Sequence, residues 1–176
     1  MRSRLAFVEE QAGSDGLRRV LESLPAADQA ALRGILASTW YPFELGSRLD
    51  EAIVRVVAGG KEDFFLNLGE ASAAKNLGGV HKDFLAPGDP HGFLRRTPII
   101  YSFYYDAGRR EYQQTGPKEG VLTTCEAETF SASDCLTVVG WHRKALEMCG
   151  ASNVRVEELE CRARGAAVCR YRVAWD

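Results

Sequence analysis

The chain has 176 residues, of which 45% are hydrophobic and 26% charged, as in an ordinary globular domain. Its formal net charge of -2 gives no reason to expect binding to nucleic acid or to a membrane surface. Its apolar runs are far shorter than the ~20 residues of a spanning helix, and early glutamates exclude a secretory signal. We therefore expect one cytoplasmic domain over residues 1–176, with residues 1–25 as a peripheral lead.

The first half of the chain predicts helices. "RLAFVEE" favours a short strand, and "GSDGLRRVLESLP" a short helix that stops at Pro25. "PAADQAALRGIL" and "WYPFELGSRLDEAIVRVVAGG" repeat apolar residues at helical period, and two glycines end the latter. A fourth helix begins near Glu62. Its small residues over 69–79 would let a neighbouring helix or subunit approach closely.

The second half predicts strands around one helix. "APGDPHGF" predicts a turn, and "TPIIYSFYYDAGRREYQQTG" alternates as a β-hairpin does. "VLTTCEAETF" favours a strand, "SASDCLTVVGWHRKALEMCG" a helix with a Ser or Asp cap, and "VEELECRARGAAVCRYRV" a hairpin. The order indicates an α+β fold, with N-terminal helices packed on an antiparallel sheet and a C-terminal helix followed by a β-hairpin.

The last hairpin carries a carboxylate and two thiols, which indicates a metal site, a redox switch or ordinary packing. Glu158 and Cys161 are three residues apart, and Cys169 lies across the turn. Strict alternation puts residues 158 and 161 on opposite faces, so a bulge near Leu159-Glu160 is needed to direct both inward. Cys135, which opens the preceding helix, is the candidate fourth ligand. Thiolates with a carboxylate suit zinc, whereas buried cysteines also pack as small hydrophobic residues.

Aromatic residues of the predicted hairpin would line an apolar pocket or pack a sheet on helices. Alternation places Tyr101, Phe103 and Tyr105 on one face. His91 lies in a polar turn and would need a partner to act as a base. The candidate ligand-binding residues are His91, Phe93, Tyr101, Phe103, Tyr105 and Trp141. No catalytic residue is predicted, since the chain has no phosphate loop or nucleophile elbow.

The ending "NVRVEELECRARGAAVCRYRV" resembles the C-terminal signature of the 4-vinyl-reductase (V4R) domain family, with E-x-x-C, a glycine and a later cysteine before an aromatic residue. "WYPFELGSRLDEAI", "NLGEASAAKNLGGVHKDFL" and "GWHRKALEMCG" are similar to stand-alone members of myxobacterial type. The wider superfamily includes sensor domains of aromatic-responsive activators, TRAPP trafficking subunits and haem-based nitric oxide sensors.

The resemblance implies a structural zinc. In the aromatic-responsive sensors one cysteine early in a helix, the E-x-x-C motif and the later cysteine hold the ion, and the matching residues here are Cys135, Glu158, Cys161 and Cys169. The ligand histidine of those sensors has its nearest equivalent in Tyr101. Because those sensors hold phenol with a histidine and a tryptophan that cannot be placed in this chain, phenol is not expected. The segment "YSFYY" does not satisfy the Y-x-S-x-R motif of the haem sensors, so haem is not expected either.

The resemblance also implies a non-enzymatic sensory module for a small hydrophobic or aromatic ligand or a protein partner, forming a homodimer. Two alternatives stay open. One is an enzyme or accessory protein in the reduction of a tetrapyrrole vinyl group, and the other is a trafficking-type scaffold.

Overall fold

The computed structural model describes residues 1–36, 39–61, 63–127 and 131–176. Within these ranges the chain forms six α-helices and four β-strands. The helices are α1 (Arg2–Glu22), α2 (Ala26–Arg33), α3 (Phe43–Ile53), α4 (Asp63–Leu77), α5 (Pro90–Ser102) and α6 (Ala132–Met148). The strands are β1 (Arg109–Gly116), β2 (Glu119–Cys125), β3 (Arg155–Glu160) and β4 (Cys169–Ala174). A π-helical turn, Val54–Ala58, continues α3.

The predicted α+β class is confirmed. Helices lead the chain, the four strands pair antiparallel in the order β1-β2-β4-β3, and α6 is followed by the β3–β4 hairpin. The chain divides into two compact units, residues 1–64 and 65–176. That residues 1–176 form one domain with 1–25 as a peripheral lead stays a prediction. No helix of the described ranges is long and apolar enough to cross a membrane.

The first unit begins with a helix, so the strand expected at "RLAFVEE" is wrong. Phe7, Val8 and Val20 are buried along α1, and their burial against the helices of this unit outweighs the local preference of β-branched and aromatic residues for strands. The helix is kinked at Gly13, where φ is +67° and ψ is 176°. Only glycine adopts this conformation without strain.

A charged contact ties α1 to α3 within this unit. The guanidinium of Arg4 donates from Nε and NH2 to the two carboxylate oxygens of Asp50, at 2.6 and 3.0 Å. Asp50 is only 2% exposed. A buried carboxylate of this kind is tolerated because a fork of two charge-assisted hydrogen bonds compensates for its lost hydration.

The second unit contains helix α5 where a hairpin strand and its preceding turn are expected, and that prediction is wrong. The Asp89 carboxylate accepts a hydrogen bond from the Gly92 N–H at 2.7 Å, and Pro90 occupies the first helical position. Asp before Pro is an N-cap with a favoured first residue. The hairpin instead joins β1 to β2, so the Asp106-to-Gly108 turn leads into its first strand.

Helices α4 and α6 meet at two glycines. A Cβ atom on Gly140 would lie 2.0 Å from the Leu66 carbonyl oxygen, and one on Gly69 would lie 2.2 Å from that of Thr137. Neither position has room for a side chain, because the obstructing atoms belong to the backbone. The close neighbour of this part of the small-residue segment is therefore α6 of the same chain.

Candidate ligand site, a thiol cluster beside a small cavity

Three cysteines from three elements meet in the core of the second unit. Cys135 lies in the first turn of α6, which the Ser131 side chain caps by accepting the Asp134 N–H at 3.0 Å. Cys161 follows β3, and Cys169 opens β4. The Cys135 sulfur lies 3.5 Å from that of Cys161 and 3.8 Å from that of Cys169, and all three sulfurs lie within 4.8 Å of one another.

The bulge that the sequence requires near Leu159-Glu160 is confirmed. The pairing of β3 with β4 shifts register between Glu158, opposite Tyr171, and Glu160, opposite Arg170. The extra residue, Leu159, is 47% exposed. Because of this shift, the side chains of residues 158 and 161 need not lie on opposite faces of the sheet, as strict alternation would require.

The Glu158 carboxylate has one buried oxygen that finds no hydrogen-bond partner among the described residues. Its side chain is 9% exposed, and Arg164 donates to Oε2. Oε1 is buried and finds no hydrogen-bond donor in the described part of the chain. A buried carboxylate oxygen without a donor costs folding free energy, so a positive partner at this oxygen would be stabilising.

The thiols do not titrate alike. Hydrogen bonding from Cys135 lowers the pKa of Cys169, against the opposing effect of burial. The backbone N–H of Arg162 also donates to the Cys169 sulfur, at 3.4 Å. The same thiol pairing raises the pKa of Cys135, and burial raises that of Cys161. Cys169 is therefore the thiol of this cluster that most readily becomes a thiolate, and thiolates attract soft cations.

A small cavity of about 20 Å³ adjoins this cluster. It has room for a ligand on the scale of one or two water molecules. Its walls come from the end of α5, from the sheet and from the start of α6. The lining residues are Tyr101, Tyr105, Arg110, Thr124, Asp134, Cys135, Val138, Cys169 and Tyr171.

Arg110 brings a buried positive charge to this wall. It lies on β1 opposite Thr124 of β2 and is 9% exposed. Its Nε and NH2 groups donate to the Thr124 hydroxyl oxygen at 3.2 and 2.9 Å. The guanidinium carbon lies 5.3 Å from the centre of the Tyr101 ring, which is a cation–π distance. All of these partners are uncharged.

His142 is the third neutral partner of Arg110. Its Nδ1 lies 2.8 Å from the Val138 carbonyl oxygen, which can only accept, so Nδ1 carries the proton. Nε2 is then the acceptor for Arg110 NH1, at 3.3 Å. Burial, with Arg110 next in effect, lowers the pKa of His142 to about 3. His142 is thus neutral at physiological pH and has both ring nitrogens occupied.

Two predicted ligand residues meet at the cavity. The rings of Tyr101 and Tyr105 stack with their centres 4.8 Å apart. The Tyr101 hydroxyl donates to the Ala107 carbonyl at 2.9 Å, and the Tyr105 hydroxyl donates to the Asp134 carboxylate at 3.0 Å. They adjoin because Tyr105 lies one turn beyond Tyr101 at the end of α5, and not because they alternate on a strand.

The other four predicted residues lie elsewhere. Phe93 is fully buried and stacks on Trp141 at 6.0 Å. Phe103 is half-exposed and stacks on His81. His91 donates from Nε2 to the Pro117 carbonyl at 2.8 Å and accepts at Nδ1 from the Tyr112 hydroxyl at 2.5 Å. None of these four lines the cavity.

The polar cavity residues that the sequence analysis missed are Arg110, Thr124, Asp134 and Tyr171. Arg110 and Asp134 are charged residues in amphipathic elements, where exposure is the usual expectation. A signal existed for Asp134 alone, since it lies in the first turn of the predicted helix next to Cys135. The inward direction of Arg110 depends on the register of β1 with β2.

Comparisons with known proteins identify the family and the fold. A family model described as "Protein of unknown function (DUF2378)" matches residues 10–176. No curated protein matches the chain. Solved structures of H-NOX proteins match almost the whole chain. Their sequence identities are so low that the match shows a common fold and nothing more.

Three of these structures are representative. An Fe(II) unliganded H-NOX protein from K. algicida is 13% identical, with a TM-score of 0.71 and coverage of 99% of this chain and 94% of that one. An H-NOX protein from S. oneidensis in the Fe(II)NO state is 15% identical, with a TM-score of 0.70 and coverage of 100% and 99%. An oxygen-binding H-NOX domain related to soluble guanylate cyclases is 13% identical, with a TM-score of 0.69 and coverage of 99% and 92%.

These comparisons correct two predictions. The chain matches the DUF2378 model and resembles H-NOX structures, so the predicted membership of the V4R family is wrong. The prediction of a structural zinc as cofactor is contradicted too, because the neighbouring structures are described with haem or Fe(II). The ligand roles predicted for Cys135, Glu158, Cys161 and Cys169 stay a prediction.

The residues of this chain do not fit haem. All three histidines lie in the described ranges, and the nitrogens of His91 and His142 are occupied by hydrogen bonds. His81 packs in an aromatic cluster with Phe84, Phe103 and Tyr104. The cavity beside the thiols, at about 20 Å³, is much too small for a porphyrin. The H-NOX likeness therefore extends to the fold and not to the haem.

Proposed function

We propose that this chain, which belongs to the DUF2378 family, is a non-enzymatic sensory module that binds a small molecule in the cavity beside its thiol cluster. One observation supports this most directly. A buried guanidinium, three tyrosines and a carboxylate converge on one small space in an otherwise apolar core. Convergent polar groups around a cavity are the usual mark of a ligand site.

Cavity size limits the ligand class. About 20 Å³ accommodates a ligand on the scale of one or two water molecules, whereas the hydrophobic or aromatic ligand expected from the sequence is several times larger. A small ligand is in keeping with the H-NOX neighbours, two of which are described with bound nitric oxide or oxygen. An aromatic ligand would require the stacked pair Tyr101 and Tyr105 to separate.

The thiol cluster provides a route from ligand to protein. Cys135 and Cys169 belong to both the cavity wall and the cluster, and Cys169 lies in the β3–β4 hairpin. A ligand that displaces either side chain would therefore move the hairpin against α6. The four predicted ligands stay a proposal for binding a thiophilic metal ion, supported by the three adjacent sulfurs and by the unpaired Oε1 of Glu158.

A non-enzymatic role is supported by the neutral, fully hydrogen-bonded state of His142. It has no lone pair left with which to accept a proton from a substrate. The alternative of tetrapyrrole reduction would need a larger site than this cavity. The trafficking-type scaffold remains the competing function, and homodimer formation stays a prediction.

The test is titration of the full chain with three small probes, namely xenon, formamide and formate, followed by amide NMR. Binding to the cavity should shift the amides of its lining residues saturably with at least one probe, and should raise the melting temperature with probe concentration. The larger side chain of Val138→Leu should fill the cavity and abolish both the amide shifts and the rise in melting temperature. The matched surface change Val80→Leu, at a residue 84% exposed, should not. Saturable shifts with none of the probes would favour the scaffold.

A further inference from the structure

Arg110 is a buried cation that forms no ion pair with any residue that the structure describes. No carboxylate of the described residues lies within 4 Å of its guanidinium, and its partners are the Thr124 hydroxyl, the neutral His142 ring and the Tyr101 ring. Other arginines in this chain form ion pairs, including the mostly buried Arg4. A buried charge whose direct contacts are all neutral is costly unless an opposite charge makes contact with it.

The guanidinium also has unused donors. It carries five N–H groups, and its contacts with Thr124 and His142 use one on Nε, one on NH2 and one on NH1. One N–H on each terminal nitrogen is left. Donors on the two neighbouring terminal nitrogens of a guanidinium suit the two oxygens of a planar carboxylate-like anion.

The acidic groups on the same wall make no direct contact with Arg110 among the described residues. The Asp134 carboxylate accepts from the Tyr105 hydroxyl and, among the residues that the structure describes, forms no ion pair with Arg110. Cys135 and Cys169 hydrogen-bond to each other within the thiol cluster. The cavity is therefore the place where a negative charge would complete the set of contacts of Arg110.

We infer that the cavity ligand is a small planar oxyanion of the size of formate or nitrite, held by the terminal N–H groups of Arg110. This deepens the proposed function and rests on it, since it assigns a charge class to the ligand of the same cavity. The Thr124 and His142 contacts fix the guanidinium plane, so they act as positioning residues.

The test compares formate with formamide, a neutral molecule of nearly the same shape, on the full wild-type chain. Ionic strength is held with sodium gluconate, whose anion is too large for the cavity. Formate should bind at least about tenfold more tightly than formamide, and it should shift the Arg110 Nε–H resonance. Arg110→Met should remove this preference. The control Arg95→Met, at an exposed arginine paired with Gln114, should retain it.

Each outcome decides a separate question. Equal affinities for formate and formamide, or a formate effect that leaves the Arg110 resonance unmoved, would overturn the anion assignment and leave the proposed small-molecule site standing. Failure of all probes, xenon included, would instead overturn the proposed function. The wild-type comparison decides the matter even when Arg110→Met does not fold.

Discussion

The Nε2 atom of His142 accepts a hydrogen bond from NH1 of Arg110 at 3.3 Å. This contact joins a buried residue of α6 to a buried residue of β1, and it requires the histidine to carry its proton on Nδ1. Protonating His142 would place two cations in contact at a buried position. The ring is therefore held neutral, with a pKa lowered to about 3.

This arrangement predicts acid sensitivity. The folded-state pKa of His142 lies below its ordinary value of 6.5, so between pH 6.5 and 3 the unfolded chain binds a proton that the folded chain excludes. The free energy of unfolding should fall as pH falls through this window, by at most about 1.4 kcal/mol per pH unit from this group, and should be unaffected by it above pH 6.5. Urea unfolding of wild type and His142→Gln between pH 7.5 and 4 measures it.

The variant should show a shallower pH slope than wild type. Leu146→Ala is the control, since it removes a fully buried side chain from the same helix without removing a titrating group. It should be less stable and keep the wild-type slope. Identical slopes for wild type and His142→Gln would show that His142 is already protonated or exposed in the folded chain.

The crossing of α4 and α6 predicts a large effect of a single methyl group. Gly140→Ala should lower the free energy of unfolding by about 1–3 kcal/mol or more, because its Cβ would lie 2.0 Å from a backbone oxygen. Gly46→Ala, in α3, meets only Met1 at 3.8 Å. It should be neutral or slightly stabilising, since alanine favours helices. Denaturant unfolding of both variants checks this, and equal effects would contradict the close crossing.

The ion pair of the first unit predicts a similar contrast. Asp50→Asn should destabilise the chain by about 3–5 kcal/mol, because it removes the negative charge from a mostly buried ion pair with Arg4. Asp15→Asn removes a carboxylate from an exposed pair with Arg18 and should cost less than about 1 kcal/mol. A small effect of Asp50→Asn in urea unfolding would mean that the carboxylate is hydrated.

The thiol cluster predicts that metal binding depends on three of the five cysteines, Cys135, Cys161 and Cys169. If it holds a metal ion, elemental mass spectrometry of untagged protein should find one ion per chain, lost in Cys161→Ser with a fall in melting temperature. Cys149→Ser is the matched control, because Cys149 is also buried but lies outside the cluster. Metal-free wild type prepared without chelator would leave the cysteines as packing residues.

Parts of the site could be predicted because they follow from local geometry. The alternation of side chains along β3 requires a bulge between Glu158 and Cys161, and the bulge is present. The turn of the last hairpin likewise brings Cys161 close to Cys169. Both arguments use only the two-residue period of a strand, which the chain carries in its sequence.

Other parts failed where tertiary contacts outweighed local preference. The aromatic residues around Tyr101 alternate as in a strand, yet a cap at Asp89 and burial of Phe93 and Leu94 make this segment a helix. The zinc and the V4R family rested on a short motif, and a match of the whole fold to H-NOX structures overturned them.

The sequence by itself determined the α+β class, the position of most helices and the meeting of the hairpin thiols, because periodicity and turns act over a few residues. Only the tertiary structure decided what surrounds the cavity. Arg110 and His142 are 32 residues apart, and Tyr105 and Asp134 are 29 apart. Their contacts depend on strand register and on how closely α6 packs, and neither can be read from residues that are distant in sequence.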